Sequence, residues 1–468
     1  MMLLVDFPSI VKKYAPIFEH CFSPEGYEHF KKAVSGFIVS DNKTLEAINR
    51  MFIHSPRHQA SFNKFFNRQN FDLEEINLVR LDMLQGGAGT CFKEKGVLSV
   101  DNSLLKHYGR HFDNIYYHFD YVHKCYRWAH DLVTLHYSDD LTDYPVLYRM
   151  WEPPDWEAVA TYLRGRGFVI NEQKWDNRHS QPQQWRNYIR ARYKDGRKKH
   201  PGVAGIYKTK NLIALELLRK FRSMCPQDSF PVALDTGFTS AELCGAISGE
   251  LGLDYVGALR EDQYATDRDS GNEVPLKELV KKLRQGPSPR NNVQKTGFTY
   301  KGEKQICYAY FANHRVRGFD KKQRLVISFL REDLSDRPTF TVTNRLDWRP
   351  SGILRIRRHR WPVETYHQEG KAEGLEGYQV RNEKAIQTYV AFVVVAYSML
   401  KCTVHDSGLL SSIQQRLQTE TNSTLPFLRR LMKAEGLALL IEHVFVMMKK
   451  GQSMEKIFQG LAPCLAYV

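Results

Sequence analysis

Two short β-branched runs that each end in an aspartate constrain the fold of this chain most. VLSVD ends at Asp101, and PVALD ends at Asp235. The second run lies between two helical patterns, NLIALELLRKFRSM and SAELCGAISGELG, and a further strand pattern, DYVGALRED, comes next. This alternation predicts a partly parallel sheet with flanking helices, an α/β fold. Each aspartate alone would be a turn or cap residue, but together they mark the sheet edge where such folds bind ligands.

Other patterns divide the chain into parts. Consecutive strand patterns from GVLSVD to YPVLYRMW predict a meander. We predict a helical DNA-binding domain at 1–90, a core whose first part is 91–262 with a basic linker at 163–204, a β-rich insertion at 263–345, a second core part at 346–400, and a helical region at 401–468. Within the last region, the amphipathic stretch at 428–450 packs either on the core or on a second subunit.

The charge balance points to a polyanionic partner. The 468 residues carry a formal net charge of +15, which suits nucleic acid or an anionic membrane surface. The longest apolar run, VAFVVVAYSML at 390–400, is too short to span a bilayer, and the amino terminus does not resemble a signal peptide. The eight cysteines are scattered singly, as is typical of reduced thiols. We therefore expect a cytoplasmic protein that makes no membrane contact.

Two segments are candidates for DNA contact. Residues 181–210 hold nine Lys or Arg, among them Lys198 and Lys199, with Trp185, Tyr188 and Tyr193 interleaved. Such a segment either grips phosphates and stacks on bases or is a solvated linker. TLEAINRMFIHSPRHQASFNKFFNR predicts either a helix-turn-helix DNA reader carrying Lys64 and Arg68 or a plain helical bundle.

A third candidate carboxylate follows the basic cluster RIRRHR. In VETYHQEGK, Pro362 suits the first turn of a helix, so Glu364 lies near the helix amino end, where it could also serve the macrodipole. Carboxylates from Asp101, Asp235 and Glu364 would hold two divalent hard cations for phosphodiester chemistry. Glu369 and Glu373 are rivals for the third position.

Two further features near these acids have ordinary explanations. Trp348 either stacks on an unpaired base or anchors the insertion as a buried side chain. The histidines near Asp101, from His107 to His136, lack the spacing of a metal site, and we interpret them as surface or strand residues.

These blocks resemble a known family. RHRWPVETYHQEGKAEGLEGYQVR resembles the carboxy-terminal signature of bacterial insertion-sequence DDE transposases, written Y-x2-R-x3-E-x6-K. Its R, E and K positions fall on Arg360, Glu364 and Lys371, and its Y position is occupied by Arg357. GVLSVDNSLLKHYG and FPVALDTGFTS resemble the two aspartate blocks, and 134 and 129 residues separate the successive acids.

The resemblance implies an RNase H-like core with a β-rich insertion that binds two Mg²⁺ or Mn²⁺ ions through Asp101, Asp235 and Glu364. It further implies DNA contacts from Arg360 and Lys371, and a homodimer in a synaptic complex. We also predict that Arg357, in the same basic cluster, contacts DNA. The implied reaction cuts at terminal inverted repeats and joins the 3′ ends to target DNA. The alternatives are a catalytically silent or domesticated DNA-binding protein of the same fold and a nuclease that does not transpose.

Overall fold

Helices fill the amino-terminal part of the protein, as predicted. The computed structural model describes residues 2–53, 59–285, 293–418 and 424–465. A 3₁₀ helix spans Ala15–Cys21, and α1 to α5 span Ser9–Tyr14, Pro24–Val39, Leu45–Arg50, Gln59–Arg68 and Leu73–Gln85. In the proposed helix-turn-helix, α4 buries Phe62 and Phe66 and exposes Lys64 and Arg68. The Ser-Pro break before α4 lies outside the described residues.

A mixed sheet of ten strands forms the centre. The strands are β1 Val97–His107, β2 Tyr116–Asp120, β3 Cys125–Ser138, β4 Asp143–Trp151, β5 Val232–Leu234, β6 Tyr255–Leu259, β9 Val293–Tyr300, β10 Glu303–His314, β11 Gln323–Phe329 and β12 Thr339–Thr343. The short strands β7 Tyr264–Thr266 and β8 Glu273–Pro275 form a separate pair.

The strand order confirms the predicted RNase H-like mixed sheet. β1, β3 and β4 form an antiparallel meander, while β5 and β6 run parallel to β1 on its other side. Beyond β6, the antiparallel strands β12, β11, β10 and β9 continue the same sheet. The β-rich stretch at 263–345 therefore widens the core sheet.

One predicted strand boundary is wrong. The sequence pattern placed Asp101 at the end of a strand, but β1 continues to His107. The extension forms because residues 102–107 pair with β3, from Val133 to Trp128, after the pairing with β5 has ended at Val100. Asp101 thus lies inside β1, at the point where the neighbouring parallel strand stops.

Helices cover both faces of the sheet. α9 Lys210–Met224, α10 Ala241–Gly249 and α11 Leu276–Gln285 contribute to the larger core, which includes Leu98, Val100 and Leu234. The opposite face carries Val97, Ala233 and Val256, which pack with Ile353 and Ile356 of α12 Pro350–Arg358. Alternate residues of each strand point to opposite faces, which explains this division.

The predicted basic linker at 163–204 is instead mostly helical. α6 Trp156–Gly165, α7 Glu172–Asp176 and α8 Pro182–Lys199, with a 3₁₀ helix at Pro201–Gly205, enclose their own apolar cluster. Its centre is Trp185, Ile189 and Tyr193, spaced four residues apart on one face of α8. The prediction of a linker was wrong because these three residues form the buried face of an amphipathic helix. The cations occupy the rest of the helix surface.

The carboxy-terminal third consists of helices in the described ranges. They are α13 Trp361–Glu373, α14 Glu383–Val404, α15 Ser407–Leu417, α16 Leu425–Lys449 and α17 Met454–Leu465. By length and composition, α14 is the one helix in the described ranges that could cross a membrane, but 89% of its most apolar window is buried inside the protein. It is the central core helix, on which α2, α4 and α5 of the amino-terminal part pack.

Candidate active site

The register of two parallel strands brings the aspartates together. Leu98 pairs with Val232 and Val100 with Leu234, so the next step along both strands places Asp101 beside Asp235. Asp101 lies two residues after Ser99, and Asp235 lies two residues after Ala233, with which Ser99 pairs. The two aspartate side chains therefore point to the same face of the sheet, which α12 covers. Backbone pairing alone therefore joins two acids that lie 134 residues apart in the chain.

The turn after β5 fixes the Asp235 carboxylate. Its Oδ1 accepts hydrogen bonds from the backbone N–H groups of Gly237 and Phe238, both at 2.9 Å. The Thr239 hydroxyl donates to the Asp235 carbonyl at 2.6 Å. An aspartate that accepts from the following turn is held in one orientation, which is the local reason for the sequence DTGFT at this position.

The α12–α13 segment brings Glu364 to the same face. Burial of Ile353, Leu354 and Ile356 anchors α12 on the sheet, at about 1.5–3 kcal/mol for each fully buried side chain. Glu364 lies in the first turn of α13, and Arg360 comes just before that helix. Arg360 Nη1 donates to Asp101 Oδ2 at 3.3 Å, and its Nη2 forms an ion pair with Glu364 Oε1. One guanidinium therefore connects the first and third acids.

The charges of Asp235 and Glu364 both act on the Asp101 carboxyl. The pKa of Asp101 is raised from 3.8 to about 7, first by burial and then by the negative charge of Asp235, with a smaller contribution from Glu364. The positive charge of Arg360 and the backbone N–H of Asn102 act in the opposite direction. Ionisation of Asp101 is therefore disfavoured unless a nearby cation compensates its charge.

The donor set fits hard divalent cations. The three side chains offer carboxylate oxygens, which Mg²⁺ and Mn²⁺ prefer. The carboxylate oxygens of the three acids do not lie within 4.8 Å of one another, because Arg360 lies between Asp101 and Glu364. Among the described residues, the one group of three ligand-type side chains that meets this distance lies elsewhere. A cation, the Arg360 guanidinium, thus already bridges two of the three acids.

The structure excludes both rival glutamates from this site. Glu369 accepts a hydrogen bond from the Tyr397 hydroxyl at 3.0 Å, and Glu373 is buried 2.9 Å from Arg429. Both acids therefore contact the carboxy-terminal helices, on the side of α13 away from Asp101.

Two residues of the basic signature face the protein. Lys371 Nζ donates to the Leu104 carbonyl at 2.8 Å, and burial lowers the pKa of its ammonium. Arg357 donates to the Phe340 carbonyl at 2.8 Å and to the Thr341 hydroxyl, and burial lowers its pKa to about 10. In this conformation both cations tie the α12–α13 segment to the sheet. Their predicted contacts with DNA stay predictions.

The other predicted DNA contacts lie outside the carboxylate cluster. Trp348 is half-buried against the apolar cluster of Ile353, and the Arg345 guanidinium lies 5.3 Å from its ring centroid. Lys198 and Lys199 are exposed at the end of α8, in the helical segment between β4 and α9. The structure thus places these residues on two different elements.

Sequence reasoning missed a second buried carboxylate beside Asp101. Asp131 of β3 is fully buried, accepts a hydrogen bond from the Asn102 amide at 2.7 Å and forms an ion pair with Lys210. It lies on the opposite face of the sheet, among residues of α9. The available signal was Asp131 inside the apolar pattern RWAHDLVTLHY, since a charged residue is rarely buried unless it has a partner.

Comparison with known proteins assigns a family. The model of a family described as DDE superfamily endonuclease matches residues 31–291, more than half of the chain. The chain belongs to the DDE superfamily of endonucleases. The family description makes the protein an endonuclease. The matched range contains Asp101 and Asp235 and ends before Glu364.

Comparisons of structure and of curated sequence add less. The cryo-EM structure of a piggyBac transposase synaptic complex with hairpin DNA is similar to this endonuclease over 98% of this chain and 81% of that chain, at 11% identity and a TM-score of 0.45. No curated protein matches the sequence. The site assignment therefore depends on the geometry described above.

Proposed function

We propose that the protein is a bacterial insertion-sequence transposase of the Y-x2-R-x3-E-x6-K group, which acts on DNA in the cytoplasm. It would cut at the terminal inverted repeats of its element and join the freed 3′ ends to target DNA. The observation that carries the proposal is the contact of one guanidinium, Arg360, with both Asp101 and Glu364, beside Asp235 on the adjacent strand. This contact brings acids from three distant parts of the chain together on one face of the sheet.

The proposed cofactor is a pair of Mg²⁺ or Mn²⁺ ions held by Asp101, Asp235 and Glu364. When bound, such ions activate a water or a 3′-hydroxyl and neutralise the charge of the leaving oxygen. The protein's own contribution is orientation, because the turn fixes Asp235 while strand pairing fixes Asp101. Arg360 would exchange its carboxylate partners for a DNA phosphate near the cleaved end.

The proposed DNA path includes the end of α8. The chain has a net charge of +15, and Lys198 and Lys199 are exposed on a folded helix that its own apolar cluster holds in place. Rigid presentation lowers the entropic cost of binding a phosphate backbone, compared with a flexible linker. We propose that this helical segment contacts DNA outside the catalytic cluster.

The proposed assembly is a homodimer in a synaptic complex. The first half of α16 is buried, whereas Leu437, Ile441, Phe445 and Met448 are exposed at one-turn spacing along its second half. Met454 and Phe458 of α17 are also exposed. A contiguous apolar face of this kind is typical of a protein interface, and a second copy would cover it on both molecules by twofold symmetry. The mass of the complex on an inverted-repeat duplex, measured by light scattering, tests this part.

A cleavage assay tests the chemistry. A labelled duplex that ends in the inverted repeat flanking the gene should be nicked in Mg²⁺ and joined to a target plasmid. Asp235→Asn should bind this duplex without cutting, because the amide oxygen still accepts from Gly237 and Phe238 while the charge is lost. Glu369→Gln is the matched control, since it removes a nearby acid that contacts Tyr397 instead, and it should cut normally.

The assay also separates the alternatives. One observation favours a catalytically silent DNA-binding protein, namely that Arg360 already neutralises two of the acids. Specific binding of the duplex by the unaltered protein with no Mg²⁺- or Mn²⁺-dependent cleavage would support that alternative. Cleavage without a joined product would instead indicate a nuclease.

A further inference from the structure

Three ligand-type side chains meet in the amino-terminal region, far from the catalytic carboxylates in the chain. His20 and Cys21 are the last two residues of the 3₁₀ helix, and Glu75 lies in the first turn of α5. The Cys21 Sγ lies 3.7 Å from His20 Nε2, which in turn lies 3.9 Å from Glu75 Oε1. All three ligand atoms are within 4.8 Å of one another.

These distances match the edges of a tetrahedral metal site. Zinc lies about 2.3 Å from a cysteine sulfur and about 2.0–2.2 Å from histidine nitrogen or carboxylate oxygen. At tetrahedral angles, two such ligands are about 3.4–3.6 Å apart. The two separations from His20 Nε2, 3.7 Å to Cys21 Sγ and 3.9 Å to Glu75 Oε1, exceed this edge by up to about half an ångström, and Cys21 Sγ lies within 4.8 Å of Glu75 Oε1. Side-chain rotations, chiefly of the exposed His20 and Glu75, would bring the three atoms onto one ion.

The negative charges around Cys21 favour a cation at this position. Cys21 is buried, whereas the His20 and Glu75 side chains are 61% and 49% exposed, so the cluster opens to solvent on one side. The pKa of the Cys21 thiol is raised to about 11, first by burial and then by the negative charges of Glu75 and Asp72. A divalent ion between these groups would reverse the effect of the carboxylates and stabilise the thiolate.

The ligand types separate this cluster from the catalytic site. Nitrogen and sulfur ligands select zinc-like ions, whereas three carboxylates suit Mg²⁺ or Mn²⁺. We infer that His20 Nε2, Cys21 Sγ and Glu75 Oε1 bind a zinc ion, with water as the fourth ligand. Binding releases the thiol proton to solvent and joins the 3₁₀ helix to α5. This inference does not depend on the proposed transposition reaction.

Cobalt substitution tests the site in the full-length protein. Metal-free protein titrated with Co²⁺ should develop a thiolate-to-cobalt charge-transfer band in the near ultraviolet and intense visible bands of tetrahedral cobalt, and Zn²⁺ should abolish both. The catalytic carboxylates cannot produce the charge-transfer band, because they include no sulfur. Cys21→Ser should lose the band, and Glu75→Gln should require more Co²⁺ to reach it.

Cys225→Ser is the matched control. Cys225 is also partly buried, and burial raises the pKa of its thiol to about 11 as well, but it belongs to no such ligand group in the described ranges. This variant should keep the band. Absence of the band in the unaltered protein, or its persistence in Cys21→Ser, would overturn the inference and leave a thiol hydrogen-bonded to an imidazole. Glu75 is half exposed, so Glu75→Gln provides the test if Cys21→Ser fails to fold.

Discussion

Replacement of Asp101 by asparagine should stabilise the metal-free protein at alkaline pH. Asp101 is nearly buried and lies beside two other acids, so its ionised form is disfavoured in the folded state. Asparagine has nearly the same shape and carries no charge. The substitution therefore removes the repulsion by Asp235 and Glu364 at the cost of a weaker bond from Arg360.

The pKa of the Asp101 carboxyl sets the size and the sign of the effect. It rises from 3.8 to about 7 on folding, and at 1.36 kcal/mol per pH unit the difference corresponds to about 4 kcal/mol. Between these two values the folded state binds more protons than the unfolded state, so stability falls as the pH rises from about 4 to about 7 and then levels off. We expect Asp101→Asn to gain about 2–4 kcal/mol at pH 8 and almost nothing at pH 4.

Thermal unfolding with chelator at pH 4 to 8 measures this difference. Unfolding entropy of about 2.1 cal/mol/K per residue implies that 3 kcal/mol shifts the Tm of a chain this long by about 3 °C. Asp195→Asn, at an exposed position on α8, is the control and should shift the Tm by less than about 0.5 °C. An Asp101→Asn protein that is no more stable than the unaltered protein at pH 8 would refute the convergence of the three acids.

Three further changes test other parts of the structure. Arg360→Gln leaves Asp101 and Glu364 without their bridging cation, so calorimetry should show tighter Mn²⁺ binding while DNA cleavage slows; weaker binding would contradict the bridge. Lys198→Gln combined with Lys199→Gln should weaken DNA binding and reduce the slope of log K against log salt by about 2, which a salt titration measures. Arg80→Met should lower stability to urea by about 3 kcal/mol, because the buried guanidinium donates to the Pro145 and Val146 carbonyls and to Ser398.

Local patterns were sufficient to predict the elements of the sheet. The β-branched runs around Val100, Leu234 and Val256 are strands, and the helical patterns between them are α9 and α10. The predicted mixed sheet with flanking helices is confirmed. Local patterns do not encode which strand extends beyond its parallel neighbour. The predicted end of β1, at Asp101, was therefore six residues before the observed end at His107.

Charge obscured the apolar signal in the segment before α9. Trp185, Ile189 and Tyr193 repeat every four residues, which is the spacing of a helix that buries one face. Nine cations in the surrounding sequence led to the prediction of a basic linker there. Periodicity of the apolar residues was the better guide, because cations on the other face of a helix do not oppose its packing.

The candidate site shows a similar division between what spacing reveals and what it does not. The ends of the strand patterns predicted Asp101 and Asp235 as site residues, and the start of a helix together with the family resemblance predicted Glu364. The sequence also places Arg360 four residues, about one helical turn, before Glu364, a spacing at which an ion pair is expected. The cations of the cluster were nevertheless interpreted as DNA ligands alone. In the structure Arg360 compensates the buried acids, and Lys371 and Arg357 hold the α12–α13 segment on the sheet.

These two roles of Arg360 are compatible if they occur in sequence. Without metal, the buried Asp101 carboxylate lies beside two other acids, and the guanidinium 3.3 Å away supplies a compensating positive charge. Divalent ions would compensate the same acids more strongly and would release the guanidinium, whose planar donors suit a phosphate. The residue that stabilises the metal-free site would then become available to DNA only after metal binding. Mn²⁺ should therefore strengthen DNA binding by the unaltered protein more than by the Arg360→Gln protein. An equal effect of Mn²⁺ on both proteins would show that metal binding does not make Arg360 available to DNA.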